Sequence, residues 1–145
     1  MLDWLHSMLG WLKQWFSSQS QPPFTGAPGV RRQKTYQSQN GFVYQHYFAG
    51  SRRARSELGP GYEFIFQVSA DRKTEFPVAV HISDHGVANW ESKKGRELLS
   101  KERYAIAKMA LFAAFDHRES VAEMTKPVYA GAEEIREFLE QLGRD

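Results

Sequence analysis

The chain of 145 residues contains no cysteine. That absence excludes disulfides, zinc–thiolate sites, cysteine-ligated iron–sulfur clusters and cysteine nucleophiles, and it fits a reducing, cytoplasmic setting. Long apolar runs are also missing. None reaches the roughly 18 residues that a membrane span needs. The first residues lack the cationic start and the small-x-small cleavage pattern of a secretory signal, and the arginines of a mitochondrial transit peptide, so the chain is expected to be retained. No Gly-x-Ser-x-Gly elbow, phosphate loop or dinucleotide fingerprint occurs. No catalytic residue, cofactor or metal ligand is assigned, and the expectation is a protein that is not an enzyme.

What is abundant lies at the start. Residues 1–16 read MLDWLHSMLGWLKQWF and hold three of the four tryptophans of the chain. On a helical wheel at about 100° per residue, Asp3, His6, Ser7, Gly10, Lys13 and Gln14 share an arc of roughly 120°. Met1, Leu2, Trp4, Leu5, Met8, Leu9, Trp11, Leu12, Trp15 and Phe16 fill the opposite arc. A helix of about 16 residues is marginal alone in water, so this apolar stripe requires a surface. Trp4, Leu5, Met8, Trp11, Leu12 and Trp15 are the candidate docking residues, toward a membrane surface or a groove on a partner protein. Packing on the chain's own domain or self-association is the plainer alternative, which the length of the following linker weakens for the own-domain case. The weakness of the membrane reading is charge. One lysine and one aspartate within the helix give no attraction to anionic lipid.

Residues 17–40, SSQSQPPFTGAPGVRRQKTYQSQN, show no hydrophobic period and are rich in Ser, Gln, Pro and Gly. They are expected to form a flexible linker. The folded domain is expected over residues 41–145. Strands are predicted over Phe42–Ala49, Tyr62–Val68 and Phe76–Ile82, where apolar and polar residues alternate or β-branched and aromatic residues cluster. A short fourth strand is predicted over Val87–Ser92. Residues 93–116 read as helical, with Ser100 as an N-cap and Lys108 the lone charge between Tyr104 and Phe115. Residues 126–131 read as a loop, and Glu133–Leu142 as a short amphipathic C-terminal helix. Strands grouped before helices predict α+β: an antiparallel sheet of three to four strands, covered by a buried helix.

The formal net charge of +2 conceals an uneven distribution. Residues 31–108 are net +6 and residues 109–145 net −4. Arg31, Arg32, Lys34, Arg52, Arg53 and Arg55 are the candidate anion-binding residues; solvated charge at turns and strand ends is the plainer reading of the same clusters. Beside tyrosines they suit RNA or anionic lipid, and Arg31, Arg32 and Lys34 stand where they could supply the positive charge that the first helix lacks. His81, Asp84 and His85 straddle a strand end and a turn, which is a poor metal-ligand spacing. His46 alternates with Tyr44 and Phe48 and is expected to be a hydrogen-bonded core or sheet-face histidine.

Within residues 60–115, strands followed by Ser100-Lys101-Glu102-Arg103-Tyr104-Ala105 resemble the second half of a double-stranded RNA-binding domain. Glu102 stands where that family has a basic residue. The segment before Gly59 reads as strand where the family has its first RNA-contacting helix. Gly41-Phe42-Val43-Tyr44 is similar to the aromatic motif of an RNA-recognition fold, but the helix that fold places between its first two strands is not visible. The expected function is therefore a cytoplasmic, non-enzymatic adaptor or accessory protein. Its first helix attaches it to a larger protein assembly or to a membrane surface, peripherally on the inner face. The alternative is an RNA-binding protein that uses the basic middle region.

Overall fold

A computed structural model describes residues 32–144. The predicted docking helix with Trp4, Leu5, Met8, Trp11, Leu12 and Trp15 lies outside the described residues, as does Arg31. The elements run β1 (Lys34–Gln37), β2 (Val43–Ser56), β3 (Gly59–Ser69), β4 (Phe76–Ser83), α1 (Asp84–Lys94), α2 (Ser100–His117), a 3-10 turn (Glu123–Thr125), β5 (Val128–Ala130) and α3 (Ala132–Gln141). The five strands form one sheet in chain order. The first three pairings are antiparallel, and β5 joins β4 in parallel. The class is α+β, with a mixed sheet of five strands where an antiparallel one of three to four was expected.

The alternation in β3 and β4 builds the core. Phe64, Phe66 and Val68 of β3, with Phe76, Val78, Val80 and Ile82 of β4, are buried on one face. Against them α2 places Ile106, Ala107, Ala110, Leu111, Ala114 and Phe115. Burial of a large side chain of this kind contributes about 1.5–3 kcal/mol before the entropy of ordering is subtracted. Strand β4 is buried along its whole length, as an interior strand should be.

Four local features depart from the sequence reading. Lys34–Gln37, placed in the expected linker, pairs as β1 with Val43–His46. Only Tyr36 of its four residues is even half-buried, so the strand has no hydrophobic period to read. Val87–Ser92, predicted as strand, belongs to α1. That helix is started by Ser83, whose Oγ accepts from Gly86 N at 3.1 Å, and it ends at Gly95 in the left-handed conformation, φ 70°. The single helix expected over 93–116 is thus two elements split by the Gly95 stop. Residues 128–130, expected as loop, form β5. A parallel partner for β4 needs a crossover connection, and α1 and α2 supply it. Arg118 shapes the approach to β5 by donating to the carbonyls of Glu123, Lys126 and Pro127 at 2.8, 2.7 and 2.7 Å.

Helix α2 starts one residue earlier than a Ser100 cap would give. Leu99 occupies the cap, and its N–H donates to Glu102 Oε1 at 2.9 Å. The Glu102 carboxylate also accepts from both Arg96 Nη atoms, at 2.9 and 2.7 Å, and its side chain is 2% exposed. The Arg96 bonds hold its pKa down to about 2, against the upward push of burial. A carboxylate with a lowered folded-state pKa stabilises the fold fully above its unfolded value and loses that contribution as pH falls. Stability is therefore expected to decline from about pH 4.5 toward pH 2, with a shallower decline in Glu102→Gln. The substitution itself is expected to cost about 1–3 kcal/mol at pH 7, read from urea unfolding at several pH values.

Candidate functional site: a basic cleft beside the first strands

Of the six basic residues singled out in the sequence, the five that are described, Arg32, Lys34, Arg52, Arg53 and Arg55, do not form one surface. A β-bulge between Phe48 and Gly50 shifts the β2–β3 register by one residue. A one-residue slip exchanges the faces of every later side chain. Arg53, opposite Tyr62, therefore stands on the α2-bearing face, and Arg52, opposite Glu63, on the other. Both charges are met. Arg52 Nε and Nη2 lie 3.3 and 3.2 Å from Glu63 Oε2, with side-chain exposures of 7% and 14%. Arg53 donates from Nη1 to Asp84 Oδ1 at 2.8 Å and from Nη2 to Asp84 Oδ2. The Arg53 guanidinium also lies 4.9 Å from the Tyr62 ring centroid, and Arg103 lies 4.7 Å from the same ring. Arg55 is exposed at the hairpin end of β2.

Arg32 and Lys34 have different company. They line a cleft of about 340 Å³ with His46, Tyr47, Phe48, Tyr104 and Lys108. Its walls are positioned by α2. Tyr36 stacks on Phe112 at 4.5 Å between centroids and donates its hydroxyl to Asp116 Oδ2 at 2.7 Å. Gln39 N donates to the other oxygen of Asp116 at 3.0 Å. These contacts lay β1 along α2. Lys34 is then in register with His46, and Lys108 projects from α2 with Nζ 5.2 Å from the Phe112 centroid. Phe48 and Tyr104 meet edge to face at 5.2 Å.

The electrostatics of this cleft are one-sided. Among the described residues, no carboxylate lies within ion-pair distance of Arg32, Lys34 or Lys108, and none lines the cleft. Burial and then the nearby Lys34 lower the pKa of Lys108. His46 is 2% exposed, and its Nδ1 has no hydrogen-bond partner. The expected hydrogen bond of a core histidine is thus missing at that nitrogen. Burial, then Lys108, then Lys34 push the His46 pKa down to about 4, which keeps the ring neutral at pH 7.

Sequence reasoning did not assign Lys108, His46, Phe48 or Tyr104 to this site. One sign was available for Lys108, the single charge on an otherwise apolar stretch of helix. On the opposite face, Arg52, Glu63, His81 and Tyr129 occupy matching register positions across β2 to β5. His81 is 1% exposed; burial lowers its pKa against the opposing influence of Glu63 and Asp84. No group of three His, Asp or Glu side chains that could hold a metal ion occurs among the described residues.

Comparison of the chain with protein-family models, with curated proteins and with solved structures finds no match.

The two paired arginines differ in burial, and their stability effects should differ accordingly. Glu63→Gln removes the carboxylate facing a buried guanidinium and is expected to cost about 2–4 kcal/mol. Arg53→Gln disrupts an exposed pair and is expected to cost less than about 1 kcal/mol. Urea midpoints of the two variants test this; equal shifts would contradict it.

Proposed function

We propose that the protein is a non-enzymatic adaptor or accessory protein, attached through residues 1–16 to a membrane surface or to a larger assembly, with an anionic membrane surface as the favoured target. The observation that carries this reading is the location of unpaired positive charge. The described residues begin beside Arg32 and Lys34, which share a cleft with Lys108 and, among the described residues, no carboxylate. The apolar stripe of residues 1–16 lacks electrostatic attraction of its own, and these cations stand where the chain passes from that stripe into the domain. Polybasic residues beside a membrane-seated segment contribute about 1 kcal/mol each toward anionic lipid. The 15 residues between Phe16 and Arg32 span at most about 50 Å, so the cleft stays within reach of the surface to which residues 1–16 attach.

The described residues have a sheet, three helices and a continuous core of their own. No helix among them is long and apolar enough to cross a membrane, and the attachment proposed is in the plane of the surface. On this reading the protein is cytoplasmic and peripheral on the inner face of the membrane. The RNA-binding alternative drew on Arg52 and Arg53, whose charges are already met by Glu63 and Asp84.

Deletion of residues 1–20 tests the proposal. The truncated chain is expected to keep its far-UV circular dichroism and a cooperative thermal transition, and to lose flotation with vesicles of phosphatidylcholine and phosphatidylserine. Equal flotation of the two forms would overturn the attachment role of the first helix.

A further inference from the structure

We propose that the cleft between the β1–β2 edge and α2 binds a phosphate group, held by Arg32, Lys34 and Lys108 and flanked by the rings of Phe48 and Tyr104. This inference does not depend on how the first helix is used.

The charge balance points to the ligand class. Three cations share a cleft of about 340 Å³ whose lining, among the described residues, holds no carboxylate. By contrast, the cleft between α1 and α3 sets Lys93, Lys94 and Arg136 against Glu133 and Glu140. A monocarboxylate in the basic cleft would leave most of the positive charge unbalanced. A phosphate monoester carries close to two negative charges at neutral pH and offers three strong acceptor oxygens. Those oxygens suit the fork of an arginine and the point charges of two lysines.

The walls point the same way. Lys108 is half-buried, and burial and then the nearby Lys34 disfavour its charged form. An anion between them would relieve that repulsion. His46, in the cleft wall, faces Lys34 from β1 and Lys108 and Phe112 from α2. Its buried Nδ1 has no partner, so a polar group in the wall is left unmatched. Phe48 and Tyr104, both half-buried, give the cleft an apolar flank for the organic part of a phosphate ester. Its volume lies at the lower end of the roughly 300–1,000 Å³ typical of small-ligand pockets.

The test uses the full chain at low ionic strength, with pyrophosphate and inorganic phosphate as probes in calorimetry. Pyrophosphate is expected to bind, and Lys34→Gln/Lys108→Gln to weaken it by about tenfold or more. Lys93→Gln/Lys94→Gln removes the same charge from the other cleft and is expected to leave affinity unchanged. Bound pyrophosphate is also expected to raise the pH at which His46 protonates above its value of about 4, read by NMR of labelled histidine. Arg32→Gln alters an exposed side chain and keeps the test intact if the double variant fails to fold. Vesicles of phosphatidylcholine with and without phosphatidic acid identify the source. A preference for phosphatidic acid that Lys34→Gln/Lys108→Gln abolishes assigns the phosphate to a lipid headgroup. Loss of pyrophosphate binding without any change on vesicles assigns it to a soluble ester. No binding of either phosphate, equal weakening in both double variants, or an unmoved His46 with pyrophosphate bound would overturn the proposal.

Discussion

The packing of α2 across the sheet is the constraint on which the other features depend. Its apolar side closes the core over β3 and β4, and its aromatic residues extend that contact to the first two strands. Phe115 stacks on Tyr44 at 4.4 Å, and Phe112 on Tyr36 at 4.5 Å. Such pairs contribute about 0.5–1.5 kcal/mol each beyond their burial. Strand β1 has few other apolar contacts, since three of its four residues are exposed. The two ends of α2 are fixed by carboxylates: Glu102 satisfies the Leu99 N–H and Arg96 at one, and Asp116 ties Tyr36 and Gln39 at the other. Placing α2 therefore places β1, and placing both creates the cleft.

That dependence explains which elements were legible in the sequence. The alternation of Tyr62, Phe64, Phe66 and Val68 and of Phe76, Val78, Val80 and Ile82 is intrinsic to each strand, and so is the apolar run of α2. The spacing of Ile135, Phe138 and Leu139 likewise marked the last helix. By contrast, β1 is stabilised by one side chain that finds its partners 76 and 80 residues away, at Phe112 and Asp116. Strand β5 has three residues, too few to show a period. In α1 only Gly86, Val87 and Trp90 are buried, and just two of these carry a large apolar side chain, too few to establish a helical period in the sequence. Gly86 is itself a contact point there: a Cβ would come within 2.8 Å of Ile135 Cδ1 and 2.9 Å of Ala132 N.

The site was legible to the same degree. Arg32 and Lys34 are visible as a basic pair, but Lys108 joins them only through tertiary structure. The grouping of Arg52 with Arg53 fails because successive residues of a strand point to opposite faces, the bulge at Phe48/Gly50 deciding which of them faces α2, and because their acidic partners come from β3 and α1. The positive charge of the middle region is thus mostly structural at one end of the sheet. At the other, Arg32, Lys34 and Lys108 have no ion-pair partner among the described residues, and that is the end which residues 1–31 precede in the chain. A docking surface and an anion-binding cleft would then act side by side, the first through burial and the second through charge.

Hydrogen exchange on the full chain carrying Phe112→Ala tests most directly whether α2 holds the first strand and forms the cleft. The account predicts that the amides of Lys34–Gln37 and their β2 partners lose protection, while β3 and β4 keep theirs. Unchanged protection in β1 would contradict it.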